Sequence, residues 1–94
     1  LGVLYHAPDP LGYLRNVASV CSGTLILETH VDGLDYPRPM MVFYPGDTLN
    51  SDPSNFWGPN RQCVIDMLKE VGFDWVREVS HHGARIAFHA GRMT

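Results

Sequence analysis

Five histidines, six arginines and a loop rich in aromatic residues hold most of the chemistry available to this sequence. Tyr5 and His6 close the opening apolar run Leu1-Gly2-Val3-Leu4, which reads as the end of a buried strand. In open α/β sheets ligands collect just beyond the carboxyl ends of strands, so this pair is a candidate pocket wall. Glu28 lies near the end of a second apolar run and would bring a carboxylate to the same rim, or would serve a loop amide. Arg85 opens the last predicted strand, where its guanidinium either reaches an anionic ligand or blunts a sheet edge. Tyr44 and Trp57, beside Phe43 and Phe56, offer ring faces to a base or a sugar, or anchor their loop to the core. His6, His30, His81, His82 and His89 form no helical i, i+4 pair and no His-Glu-x-x-His, so no metal site is expected. Gly-x-Gly-x-x-Gly, Walker and Gly-x-Ser-x-Gly motifs are all missing, and these residues do not by themselves build a nucleotide cradle.

The elements that must position these side chains follow from spacing. Asp9 caps and Pro10 opens a helix whose apolar face is Leu11, Leu14, Val17, Ala18 and Cys21, with a stop expected at Ser22-Gly23. Thr24 to Thr29 is apolar on both faces, the pattern of an interior strand in a covered sheet. Residues 30–59 are broken by Pro37, Pro39, Pro45, Pro53 and Pro59 and read as an ordered loop insertion, with a strand only at Met40 to Tyr44. Asn60 caps a second helix through Val64, Ile65, Leu68 and Val71, ending at Gly72. Asp74 to Val79 and Arg85 to His89 then read as a hairpin about a turn at Ser80 to Gly83. The order is that of an α/β fold with an antiparallel last strand.

With 94 residues, residues 1–94 make one small domain of thin stability. A formal charge of −3 opposes broad phosphate attraction, so DNA is not an expected partner. No apolar run approaches a membrane span and no signal sequence is visible. Cys21 and Cys63 lack Cys-x-x-Cys spacing and read as reduced thiols, which suits a cytoplasmic setting.

Several segments occur together in a recognisable order: Leu1 to His6 followed by Pro10-Leu11, Gly23 to Thr29, Tyr44-Pro45-Gly46-Asp47, Asn55 to Asn60, and Gly72-Phe73. In this the chain resembles the tRNA wobble-uridine 5-oxyacetic acid methyltransferases and their relatives, a set of class I methyltransferases. The resemblance implies the carboxyl-terminal half of a Rossmann-like methyltransferase domain, using S-adenosylmethionine or its carboxylated form. The glycine-rich turn and acidic ribose-binding residue would then lie upstream. It also implies that Leu1 and Tyr5 lie against the cofactor and that Arg85 helps hold the extra carboxylate; His6, Glu28, Tyr44 and Trp57, singled out above by type and position, are the candidate residues of the acceptor side. Thr48 stands where the tRNA enzymes carry an arginine, and Ser80 to Ala84 replaces a long polar insertion, so a small molecule or sugar is as natural an acceptor as tRNA. The competing expectation is a non-catalytic remnant acting as an interaction module. In either case the missing upstream strands imply an open sheet edge, hence oligomerisation or weak folding of the isolated chain.

Overall fold

Asp9 begins the first helix in the computed structural model, which describes residues 4–46, 49 and 55–93. Its carboxylate accepts the Gly12 amide at 3.0 Å, and Pro10 occupies the first turn of α1 (Pro10–Val20). No basic residue stands in the last turn of α1, and Gly23 does not take the left-handed conformation. Instead Arg92, from the far end of the chain, donates to the carbonyls of Cys21 at 2.7 Å and Ala18 at 2.9 Å. A charged donor on the otherwise unsatisfied carbonyls replaces the expected glycine stop, and Arg92 also lies 4.7 Å over the Phe73 ring.

Residues 1–3 of the strand end expected at the start of the chain lie outside the described residues. Leu4–His6 form a short 3-10 turn that buries Leu4, and Leu1 lies outside the described residues. After α1 comes β1 (Leu25–His30), where Leu25, Leu27 and Thr29 are buried and Ile26 and Glu28 exposed. This alternation replaces the two-sided burial expected, because β1 pairs only with the last strand among the described residues. The loop that follows contains β2 (Met41–Phe43) and β3 (Trp57–Pro59), paired antiparallel as a separate two-stranded sheet. Only β2 was legible, since Gly58 and Pro59 are poor strand formers.

Asn60, 1% exposed, joins this small sheet to α2 (Arg61–Glu70). Its Oδ1 accepts the amides of Cys63 at 2.9 Å and Met40 at 3.1 Å, and its Nδ2 donates to the Arg38 carbonyl at 2.6 Å. Gly72, at φ 116°, lets the chain leave α2 towards β4 (Trp75–His82). β4 is longer than expected: a bulge between Glu78 and Ser80 carries pairing on to His82, so His81 and His82 lie in the strand and not in the turn. The reversal is Gly83-Ala84, with Gly83 at φ 58°, and β5 (Arg85–Gly91) returns between β4 and β1.

The three-stranded order is β1-β5-β4, antiparallel throughout. Both helices lie on one face of it: Leu14 and Ala18 of α1 and Val64 and Leu68 of α2 join Leu25, Leu27, Ile86 and Phe88 in the core. Arg61 at the start of α2 pairs with Glu78 of β4. On the opposite face Ile26 is 57% exposed. The structure thus combines α and β elements with antiparallel strands, and no helix in it is long and apolar enough to cross a membrane among the described residues. Cys21 and Cys63 are free thiols.

Because Asn60 satisfies buried amides and carbonyls from two segments at once, Asn60→Ala is expected to destabilise the chain by roughly 2–4 kcal/mol, with the slope of the transition unchanged. Urea unfolding followed by circular dichroism checks this, and a loss below about 0.5 kcal/mol would show that the junction is not a determinant of stability.

Candidate functional site

Register assembles the site. Residues directly opposite in an antiparallel pair share a face, and His30 of β1 stands opposite Arg85 of β5 while Glu28 stands opposite Ala87. Arg85 reaches back along this face to Glu28, its Nε and Nη2 lying 3.2 and 2.9 Å from the single oxygen Oε1. The pair is solvent-exposed, at 40% for the arginine and 56% for the glutamate side chain, so its contribution to stability is small. Arg85 also lies 5.8 Å from the centroid of the Tyr5 ring. Contact with Tyr5, and then with Glu28, raises the guanidinium's already high pKa.

Tyr5 belongs to a row of rings. His6 is 4.2 Å from it, His30 5.7 Å on the other side, and Tyr44 5.8 Å beyond His30. The row runs between two hollows. An open cleft of about 730 Å³ at the His6 end is lined by Pro8, Asp9, Tyr13, Arg15 and Asn16, and a smaller one of about 360 Å³ at the other end is lined by Asp32, Leu34 and Gly83. The backbone of the row is tied across the loop, since the Phe56 amide donates to the Tyr5 carbonyl at 2.9 Å and the Tyr44 amide to the Phe56 carbonyl at 2.8 Å.

Tyr44 is 7% exposed, and it acts through its hydroxyl rather than an open ring face. That hydroxyl donates to Asp32 Oδ2 at 2.6 Å and lies 3.1 Å from His30 Nε2. Burial, then the bond and charge of Asp32, push the Tyr44 pKa far above that of a free phenol. Burial is also the main influence on His30, lowering its pKa; Asp32 opposes the shift and Arg85 adds to it. Close approach of Tyr44 depends on Gly58, where an added Cβ would stand 2.1 Å from the Tyr44 hydroxyl oxygen and 2.9 Å from Asp32 Cβ.

Of the residues singled out from sequence, Tyr5, His6, Glu28, Tyr44 and Arg85 meet on this face. Trp57 does not join the row: its indole N–H donates to the Pro8 carbonyl at 3.0 Å and its ring packs 5.0 Å from Phe43. Leu1 and Thr48 lie outside the described residues. His30 and Asp32 were not singled out, although period-2 alternation from Glu28 puts both on Glu28's side. No group of three or more metal-ligating side chains forms among the described residues.

Comparison with known proteins gives this arrangement a context. No family model matches the chain. It is 33% identical over 89 residues to the tRNA U34 carboxymethyltransferase of Chromohalobacter salexigens, covering 93% of this chain and 26% of that protein. It is also 33% identical over 75 residues to the enzyme of the same name from Desulfotalea psychrophila, covering 78% of this chain and 22% of that one. By sequence, the chain is similar to one segment of the tRNA U34 carboxymethyltransferases. It spans about a quarter of the length of these curated relatives. Among solved structures, 97% of the chain superimposes on the N-terminal domain of EvdMO1, determined with SAH and D-fucose, at a TM-score of 0.64 and 22% identity, covering 44% of that domain's chain. A second crystal structure of that domain, with SAH bound, gives the same TM-score of 0.64. At this identity the likeness establishes the fold: the α/β arrangement of this chain is part of the one adopted by the EvdMO1 domain.

Gly58→Ala is expected to expel the Tyr44 hydroxyl and cost roughly 1–3 kcal/mol of stability, since the blocking atoms belong to a buried, hydrogen-bonded side chain. Tyrosine fluorescence and urea unfolding of this variant check the packing; unchanged stability together with an unchanged Tyr44 environment would contradict it.

Proposed function

We propose that this chain forms the carboxyl-terminal part of an S-adenosylmethionine-dependent methyltransferase domain, with Tyr5 and Arg85 facing the cofactor and the rest of the ring row facing the acceptor. The observation that carries the reading is the meeting of Tyr5, His30 and Arg85 on one sheet face, in a chain related along 93% of its length to a carboxymethyltransferase. Kinship with enzymes gives the interaction-module alternative no support. The chain spans about a quarter of its relatives' length, so the remaining elements of such a domain, the glycine-rich turn implied by the resemblance among them, would lie outside residues 1–94. Residues 1–94 would act within that single domain, with 30–59 as an ordered insertion over the acceptor. The setting fits the cytoplasm.

S-adenosylmethionine or its carboxylated form, when bound, supplies an electrophilic methyl or carboxymethyl carbon on a sulfonium. The residues of this chain suit the carboxylated form in one respect. Both donors that Arg85 spends on Glu28 go to one oxygen, which leaves the guanidinium further N–H groups beside Tyr5. Guanidinium forks recognise carboxylates through paired N–H groups, so Arg85 can orient a ligand carboxylate beside Tyr5. Glu28 competes for the same cation and sets how strongly that preference is expressed. The half-buried rings of His6 and His30 offer stacking surface to a base or a sugar, which suits either tRNA or a small molecule as the acceptor. A net charge of −3 gives tRNA no broad electrostatic attraction from this part.

Calorimetry with a longer polypeptide that adds the upstream elements tests the reading. Binding of S-adenosylmethionine and tighter binding of the carboxylated form are expected. Arg85→Ala should reduce the ratio of the two affinities about tenfold or more, and Glu28→Gln should raise it by ~2–5-fold. Failure to bind either form would refute the methyltransferase reading; equal ratios in all three proteins would remove Arg85 from the cofactor side.

A further inference from the structure

We infer that His30 is the general base of the transfer reaction, accepting the acceptor's proton at Nδ1 while Tyr44 and Asp32 hold its tautomer. This rests on the methyltransferase reading above and adds a residue and a step to it.

The argument is one of counting protons. A phenol has a single proton, and Tyr44 commits it to the Asp32 carboxylate at 2.6 Å. Its oxygen can then only accept from His30, so the 3.1 Å contact is an Nε2–H donating to Tyr44. In the neutral imidazole the other nitrogen must carry the lone pair, and Nδ1 has no hydrogen-bond partner among the described residues. Asp32 is itself fixed by the Gly33 amide at 2.7 Å. The chain carboxylate–phenol–imidazole thus leaves one basic nitrogen in a defined place, the same logic by which a carboxylate orients a catalytic histidine.

The surroundings suit a base that stays neutral until it works. Around His30 stand Tyr5 from the 3-10 turn, Tyr44 after β2 and Arg85 opposite it in β5, with Asp32 one hydroxyl beyond Tyr44 and Glu28 bound to Arg85; further out, His6 flanks Tyr5 and His82 lies opposite Arg85 in β4. Half-burial lowers the His30 pKa, so the free base predominates at neutral pH. On protonation, Asp32 stands one hydroxyl away to stabilise the imidazolium.

The step balances with an acceptor O–H or N–H. The acceptor lone pair forms a bond to the transferred carbon as the carbon–sulfur bond breaks, and that electron pair stays on sulfur, leaving a neutral thioether. The acceptor proton passes to His30 Nδ1 and from there to water. No oxidant or further co-reactant is needed. Tyr44 and Asp32 are positioning residues, because they act through the imidazole.

Two measurements test this. In the full chain labelled with nitrogen-15 histidine, NMR is expected to show His30 as the Nε2–H tautomer, titrating below pH 6.5. Tyr44→Phe should bring in the other tautomer and move the titration. A predominant Nδ1–H form, or a spectrum indifferent to Tyr44→Phe, would overturn the assignment. In the longer polypeptide, single-turnover transfer with saturating cofactor should fall at least ~100-fold in His30→Gln. The acidic limb of the pH–rate profile should disappear, and cofactor affinity should stay within about twofold. Tyr44→Phe should shift that limb and lower the rate less. If the unsubstituted protein binds no cofactor, the methyltransferase reading falls. If it binds and transfers, but His30→Gln keeps the rate and the limb, His30 is not the base and only this inference falls.

Discussion

The pairing of β1 with β5 is the constraint from which the rest follows. An antiparallel register cannot slip by one residue without turning Leu25, Leu27, Ile86 and Phe88 out of the core. Hydrophobic burial therefore fixes, on the other face, that His30 lies opposite Arg85 and that Arg85 can reach Glu28. The Gly83-Ala84 reversal extends the same constraint: the Val31 amide donates to the Ala84 carbonyl at 2.7 Å, which sets the path of the chain into Asp32. A site made of exposed and half-buried polar groups is positioned by an apolar core on the opposite side of the sheet.

The loop contributes the other half through backbone and polar bonds rather than bulk. Asn60 ties residues 38 and 40 to α2, β2 pairs with β3, and Gly58 leaves room for Tyr44 to approach Asp32. Such bonds are worth little individually when exposed but are costly to break when buried, and Asn60 and Tyr44 are both buried. The electrostatics follow the same division. Arg85 and Glu28 meet in solvent, where their attraction is screened, whereas His30 and Tyr44 are shielded enough for burial to dominate their proton affinities.

Legibility in the sequence followed the range of the interaction involved. Local signals were clear: Asp9 with Pro10 and Asn60 mark helix starts, and Gly72 marks the end of α2. Signals that depend on distant partners were not. Arg92 capping α1 spans most of the chain, the bulge in β4 arises only against β5, and the exposed face of β1 reflects which strands are present beside it. At the site, Tyr5, His6, Glu28, Tyr44 and Arg85 stood out as chemical types at element ends, but Trp57 went to the Pro8 carbonyl instead. His30 and Asp32 became visible only when strand alternation was joined to the long-range contact with Tyr44.

The central claim is that the face bearing Tyr5, His30 and Arg85 is where a sulfonium cofactor and its acceptor meet. The most direct test is residue-resolved NMR of the longer polypeptide during titration with S-adenosylhomocysteine. The account predicts that, within this chain, saturable shifts concentrate at Tyr5, His30 and Arg85, with smaller changes at Trp57 and in α2. Saturable binding that leaves those three signals unmoved while shifting α2 or β4 would contradict it.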